Sequence, residues 1–278
     1  MLDKQRRMSS VMIPIEHQNF INRAVEILKQ DGRIAGAALG GSYITGIMDE
    51  FSDLDFVIAV YPEFYGQMMN ERMEIAGKLG VLLSAFTGEH VGEPRLVICL
   101  YDFPLIHVDL KFVSLADAAR RIEDPIILYQ KDDIALAGVL SEEAAAFPLP
   151  DIQWIEDRFW VWVHYGAGKI GRGELFEAME HISFLRQTVI APLILMKNGK
   201  LPRGVRKIES DAPYDIPGLL GTVAVHDARS CFMALKKAAE LYVGLRKQYT
   251  DGTFQLRDAA EEKTMAYLED VGNKVCCN

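Results

Sequence analysis

Two aspartates at the start of an apolar stretch constrain the fold of this chain more than any other feature. Asp53 and Asp55 open residues 53–60, whose β-branched and aromatic composition predicts a strand. On a strand, residues two apart project to the same side, so both carboxylates face one way while Leu54 faces the core. Carboxylates this close repel each other unless protons or a cation intervene. Magnesium fits, because it takes carboxylate oxygens and completes its ligands with substrate phosphates.

A glycine-containing break precedes this strand. Residues 34–39 predict a short buried strand, and Gly40-Gly41-Ser42 ends it. Without side chains, glycines let the backbone approach a phosphate and adopt positive φ. Backbone N–H groups of a short helix near residues 42–46, with the Ser42 hydroxyl, would bind anionic oxygens. Gly-Gly-Ser alone indicates only a turn, so its position before the aspartates carries the prediction.

A third aspartate lies in a later strand. Residues 95–113 predict a β-hairpin, with Asp102-Phe-Pro104 as the turn and Asp109 inside the second arm. A lone ionised aspartate between Val108 and Leu110 is costly without a partner. If this arm pairs with residues 53–60, Asp53, Asp55 and Asp109 form one metal site, suited to in-line phosphoryl transfer.

The remaining pattern predicts two domains. Helices are predicted at residues 16–29, after Pro62, and from Ser114 to Arg121. Beyond Asp151 the apolar spacing is helical, apart from a loop that is predicted over residues 211–221 from its prolines and glycines. We therefore expect an α/β mixed-sheet domain over residues 1–147 and an all-α domain over residues 148–278.

The composition of the chain limits the classes of molecule that it is expected to bind. The chain has 39 acidic and 30 basic residues, a net charge of −9, which disfavours sequence-independent binding to nucleic acid. It would tolerate a cationic small molecule, although solubility alone also explains such a balance. The four cysteines suggest neither a disulfide framework nor a zinc site. With no long apolar stretch, no membrane span is predicted and a cytoplasmic location is expected.

These motifs resemble the polymerase-β-type nucleotidyltransferase superfamily, and within it the aminoglycoside 6-adenylyltransferases. Weaker likeness extends through residues 124–133 and 159–174, and so touches most of the chain. The residues that carry the main resemblance are Gly41-Ser42, Asp49-Glu-Phe51-Ser-Asp53-Leu-Asp55 and His107-Val-Asp109-Leu.

The resemblance implies a small mixed sheet followed by a helical domain, with ATP and Mg²⁺ bound in the cleft between them. It implies transfer of AMP to a hydroxyl and release of pyrophosphate. Gly41 and Ser42 would bind the nucleotide, and Asp53, Asp55 and Asp109 the metal. Related streptomycin-modifying enzymes often carry a basic residue after Gly-Ser, where this chain has Tyr43.

Further candidates lie in the helical part. Lys169, in a glycine-rich basic stretch that we expect to be flexible, could close over the triphosphate, although cations also suit a helix end. Glu174, Glu177 and His181 form a polar stripe that could supply a general base or hold a cationic acceptor, although a solvated face is the commoner explanation. Asp109 is the competing base.

Three functions fit these residues. The first is transfer of AMP to a small hydroxylated, amine-bearing acceptor such as an aminoglycoside. The second is nucleotidyl transfer to a protein or an RNA end, and the acidic balance disfavours RNA. The third is a catalytically silent nucleotide-binding module, which loss of one of the three aspartates would have supported.

Overall fold

The computed structural model describes residues 13–131, 135–249 and 253–276. The chain divides into two compact units, Met1–Phe147 and Pro148–Asn278. Asp132 and Asp133, which carry part of the weaker resemblance, lie outside the described residues.

The first unit is built on a mixed sheet. Within the described residues this sheet has six strands: β1 (Ile34–Leu39), β2 (Leu54–Val60), β3 (Val81–Gly88), β4 (Glu93–Asp102), β5 (Ile106–Ser114) and β6 (Ile126–Gln130). Their order is β3-β4-β5-β2-β1-β6. The central pair, β2 and β5, is parallel, and the other neighbours are antiparallel. A parallel pair needs a crossover, and here the chain between its strands forms a helix and the β3–β4 hairpin.

The two faces of the sheet are covered differently. The helices Ile15–Gln30 and Tyr65–Lys78 pack on one face against large apolar side chains such as Phe56 and Phe112. On the other face, a smaller cluster that includes Ala38 and Ala59 contacts the helix Ala135–Leu140 and the 3₁₀ turn Leu115–Ala119. Because successive strand residues alternate between faces, Leu54 and Phe56 enter the large core while Asp55 projects to the other side.

The α/β class and the central elements are confirmed. The strand Ile34–Leu39 and the hairpin of β4 and β5 form as predicted. The helix predicted from Ser114 to Arg121 is wrong, because the chain forms only the 3₁₀ turn Leu115–Ala119 and the Ser114 side chain accepts no capping hydrogen bond. The edge strands β3 and β6 were not predicted. Both are short apolar runs, and periodicity alone does not distinguish such runs from helix.

The second unit is helical, as predicted. A π-helical segment, Arg186–Ile190, links its second and third helices. The prediction of a loop over residues 211–221 is partly wrong, because this stretch contains the short helix Ile216–Leu220. The α-helices are Ile152–Gly171, Leu175–Leu185, Ala191–Lys197, Ile208–Asp211, Ile216–Leu220, Ala228–Arg246 and Asp258–Cys276. No helix in the described part of the chain is both long and apolar enough to cross a membrane.

A buried ionic network joins the helices of the second unit. The carboxylate of Glu156, only 1% exposed, accepts hydrogen bonds from the Tyr242 hydroxyl at 2.6 Å and from the Arg246 guanidinium at 3.0 Å. Burial would raise the pKa of Glu156, but these donors, with the Arg257 backbone N–H and the charge of Arg246, hold it below its usual range. The Glu156 carboxylate is therefore ionised and serves as a counter-charge for the buried guanidinium of Arg246.

We expect Glu156→Ala to lower the free energy of unfolding by about 3–5 kcal/mol, because it leaves the buried Arg246 short of a counter-charge. Urea unfolding followed by tryptophan fluorescence measures this directly, since all three tryptophans lie in the second unit. The exposed Glu262→Ala is the control, with a change below about 1 kcal/mol.

The same variant has a pH signature. A carboxyl whose pKa is lowered by folding stabilises the protein above its unfolded pKa, near 4.5, and loses that contribution as pH falls through the folded value. The stability gap between wild type and Glu156→Ala should therefore narrow below about pH 4.5. A gap that stayed constant down to pH 3 would mean that the network is not ionic.

Candidate active site

The parallel pairing of β2 with β5 brings two of the predicted aspartates together. Asp55 lies directly opposite Asp109 in the register. Directly paired residues of neighbouring strands project to the same face, and here it is the face away from the large core. The predicted metal site depended on pairing between residues 53–60 and the second arm of the hairpin, and that pairing is present.

Asp53 lies one residue before β2 and acts on the same site electrostatically. Burial raises the pKa of Asp109, contact with His107 opposes that rise, and the negative charge of Asp53 adds to it. The turn that delivers Asp53 is well organised, because the Ser52 hydroxyl accepts from the Asp49 backbone N–H at 3.0 Å. Asp49 and Ser52, which belong to the resemblance motif, thus position the chain just before β2.

His107 shares a face with Asp109 and contacts it. The His107 Nε2 lies 2.9 Å from Asp109 Oδ1, and the histidine side chain is about half exposed. The ring is therefore placed to orient the Asp109 carboxylate.

Gly41 is required where it stands. Its φ of +59° and ψ of −135° form a backbone conformation that is nearly exclusive to glycine. A Cβ at this position would overlap the Asp55 carboxylate. Gly40 in turn donates its N–H to the Asp55 carbonyl at 2.9 Å. The glycines therefore allow the β1 end of the chain to close against Asp55.

Ser42 presents a hydroxyl that its surroundings do not satisfy. The Oγ atom is buried and has no hydrogen-bond partner among the described residues. A buried polar atom without a partner is costly and is commonly satisfied by a ligand or water. Ser42 is the next residue after Gly41, and its unbonded hydroxyl is compatible with the predicted contact to a nucleotide.

Glu123 belongs to the site but was not predicted. Its Oε1 accepts the Gly41 backbone N–H at 2.8 Å and approaches the Cα side of Gly40. The residue lies in the irregular segment before β6, far from Gly41 along the chain. No local pattern marks it, and only the tertiary fold brings it to the glycines.

A cavity of 680 Å³ within the first unit opens on this face, and both Asp55 and Asp109 line it. That volume suits a nucleotide-sized ligand. Arg95 and Lys111 also line it, and both pair with Glu93, at 2.6 and 2.8 Å. The acidic side chains that line it are Asp55, Glu93, Asp109, Asp117, Glu123 and Glu143, against the basic Arg95, Lys111, Arg120 and Arg121.

The carboxylates fit a metal ion that is completed by substrate. In the described parts of the chain, no group of three or more histidine, cysteine, aspartate or glutamate side chains is arranged to hold a metal alone. Magnesium, however, is commonly bound by one or two carboxylates together with substrate phosphates. Asp55 and Asp109 meet that requirement, and the assignment of all three aspartates as ligands stays a prediction.

Lys169 occupies a different environment from the one expected. The prediction that the stretch around Lys169 is flexible is wrong, because Lys169 lies in the continuous helix Ile152–Gly171. Its ammonium contacts Glu174 at 2.6 Å and Glu177 at 2.9 Å, and these carboxylates raise its pKa. His181 is also engaged, since its Nε2 lies 2.8 Å from the Trp162 carbonyl and burial lowers its pKa. A nucleotide role for Lys169 would require it to exchange these partners.

Part of the first unit matches a known protein family. Residues 21–100 match the family model described as a nucleotidyltransferase domain. The first unit carries a nucleotidyltransferase domain. The matched residues include Gly41, Ser42, Asp53 and Asp55, and end before Asp109.

Curated proteins and solved structures give different results. Comparison with curated proteins finds no match. The chain is similar to a solved aminoglycoside 6-adenyltransferase from Bacillus subtilis, with 17% identity and a TM-score of 0.39, over 91% of this chain and 97% of that one. A likeness of this size leaves the acceptor of the nucleotidyltransferase domain open.

The glycine geometry makes a prediction. We expect Gly41→Ala to lower stability by about 1–3 kcal/mol through backbone strain, and also to displace the Asp55 carboxylate and reduce nucleotidyl transfer by about tenfold or more. Gly199→Ala is the control, because Gly199 also has a positive φ, +68°, but open space around its Cα.

Chemical denaturation and a pyrophosphate-release assay separate the two effects. Gly199→Ala should lose stability and keep its specific activity. Equal specific activity in the two variants would show that Gly41 is needed for backbone conformation alone.

Proposed function

We propose that the chain transfers AMP from ATP to a hydroxyl of a small amine-bearing molecule and releases pyrophosphate. The observation that carries this proposal is the register of Asp55 opposite Asp109, beside the Gly41 backbone and the unsatisfied Ser42 hydroxyl. A nucleotidyltransferase needs carboxylates for a metal and donors for phosphates at one place, and Asp55, Asp109 and the nearby Ser42 hydroxyl support that assignment.

In the proposed reaction, the acceptor oxygen attacks the α-phosphorus of ATP. The bond from that phosphorus to the bridging oxygen breaks, and pyrophosphate leaves. Bound magnesium would neutralise the phosphate charge and align the attacking and leaving oxygens. The Ser42 hydroxyl would donate to a phosphate oxygen, and the Gly41 N–H would do so on exchanging its Glu123 partner, while Asp55 and Asp109 would hold the metal, with Asp53 adding negative charge.

Asp109 is the better-placed general base. Its carboxylate lines the cavity, where the acceptor hydroxyl would approach it. The alternatives named from the sequence, Glu174 and Glu177, already share the ammonium of Lys169. The acceptor proton therefore goes to Asp109 in this proposal.

The net charge of the chain and the charged side chains around the cavity support the proposed class of acceptor. The chain carries nine net negative charges, and acidic side chains outnumber basic ones around the cavity. Such a field attracts cations and disfavours an RNA end. Magnesium would offset only part of it, so an amine-bearing polyol such as streptomycin is the first acceptor to test.

We expect Asp55→Asn and Asp109→Asn each to reduce transfer by about a hundredfold or more, since several kcal/mol of charge stabilisation are lost and each 1.4 kcal/mol is about tenfold. The melting temperature without metal should be unchanged or higher, because one repulsive charge is removed. The exposed Asp270→Asn is the matched control. Activity near wild type in either site variant contradicts the assignment.

The acceptor is tested with α-labelled ATP and magnesium against aminoglycosides, neutral sugars and short RNAs. We expect label on an aminoglycoside, with a Michaelis constant that rises with salt, because attraction between charges is screened beyond roughly 10 Å at about 0.1 M. Label on RNA alone, or on a protein partner alone, would replace the small-molecule acceptor. Absence of any labelled product would favour a silent binding module.

A further inference from the structure

An exposed apolar surface adjoins Asp109 on the cavity face of the sheet. Ile98 on β4 lies directly opposite Asp109, and Phe86 on β3 lies directly opposite Ile98. Leu100 lies opposite His107 in the neighbouring position. Because directly paired residues share a face, Phe86, Ile98 and Leu100 continue the face of the Asp55–Asp109 pair outward. We refer to these three residues as the apolar shelf.

The shelf is accessible, although its side chains are hydrophobic. Phe86 is 51% exposed and Leu100 is 39% exposed. The Phe86 ring packs against the His90 ring at a centroid distance of 5.6 Å, which holds it in place. Single exposed apolar side chains are ordinary on protein surfaces. Here the exposed Phe86 and Leu100 lie next to the partly exposed Ile98, in register with His107 and Asp109, and form a local surface that a ligand can cover.

The order of the strands separates the shelf from the phosphate-binding residues. Gly41 and Ser42 follow β1, on one side of Asp55, whereas the shelf lies on β4 and β3, on the far side of Asp109. In an in-line displacement the attacking and leaving oxygens stand on opposite sides of the phosphorus. If pyrophosphate leaves toward Gly41 and Ser42, the attacking hydroxyl approaches from the side of the shelf.

We propose that the apolar shelf is the acceptor subsite and takes a cyclic, amine-bearing polyol. This inference rests on the proposed nucleotidyl transfer. The C–H face of a sugar or cyclitol ring packs on Phe86 and Leu100, and one hydroxyl reaches Asp109. An ammonium group of the acceptor gains from the π face of Phe86 and from the carboxylates nearby.

The test is a kinetic comparison with streptomycin and Mg-ATP as the two substrates. Phe86→Ala removes the ring from an exposed position, so the fold should remain intact. We expect its Michaelis constant for streptomycin to rise on the order of tenfold, and that for Mg-ATP to change less than about twofold. Phe86→Trp keeps an aromatic face and should stay within about threefold of wild type for both.

Phe64→Ala is the matched control. Phe64 is 37% exposed in the same unit and follows the opposite end of β2 from Asp55. Its constants should equal those of the wild type. A rise for Mg-ATP in Phe86→Ala would make the shelf the subsite of the adenine ring and overturn the proposal. Unchanged constants for both substrates would also overturn it.

Binding separates failure of the shelf from failure of the reaction. Calorimetry with streptomycin, magnesium and a non-hydrolysable ATP analogue needs no turnover. Weaker binding to Phe86→Ala than to Phe64→Ala supports the shelf even if no AMP is transferred, in which case only the proposed reaction fails. Equal binding to the two variants, or no binding to the wild type, rejects the shelf.

Discussion

The parallel pairing of β2 with β5 is the constraint on which the site depends. It sets Asp55 opposite Asp109 on one face, where two carboxylates repel each other until a cation or a proton intervenes. Burial and the charge of Asp53 raise the pKa of Asp109 further. The apo protein thus holds like charges together, and it can do so because the large core on the opposite face fixes both strands. Binding of a metal–nucleotide complex would relieve that repulsion, so ligand binding should stabilise the first unit.

The sheet divides the proposed chemistry by strand order. On the β1 side of the aspartates lies the unsatisfied Ser42 hydroxyl, next to Gly41, whose lack of a side chain leaves Asp55 room. On the β4 side lie apolar side chains next to His107. In the proposed reaction, the carboxylate pair therefore stands between Ser42 on the side of the leaving pyrophosphate and the apolar shelf on the side of the attacking hydroxyl.

Much of this could be predicted from the sequence, for physical reasons. Alternation over residues 53–60 predicted that Asp53 and Asp55 share a face, and the cost of a lone aspartate between Val108 and Leu110 indicated a partner for Asp109. The pairing partner itself could not be predicted, because a parallel register depends on the crossover and not on local pattern. Glu123 was missed for the same reason, since only the tertiary fold carries it to Gly41. Lys169 was expected in a flexible stretch because its neighbours are glycines, but tertiary packing keeps Gly166 and Gly171 in a helix.

The central claim is that the Asp55–Asp109 pair binds the metal that carries the nucleotide. Anomalous diffraction from crystals grown with Mn²⁺ and a non-hydrolysable ATP analogue tests it directly. The account predicts an anomalous peak bonded to the carboxylates of Asp55 and Asp109 and to phosphate oxygens, with the remaining phosphates toward Gly41 and Ser42. A peak bonded to the phosphates but to neither carboxylate, or a nucleotide bound away from this face of the sheet, would contradict it.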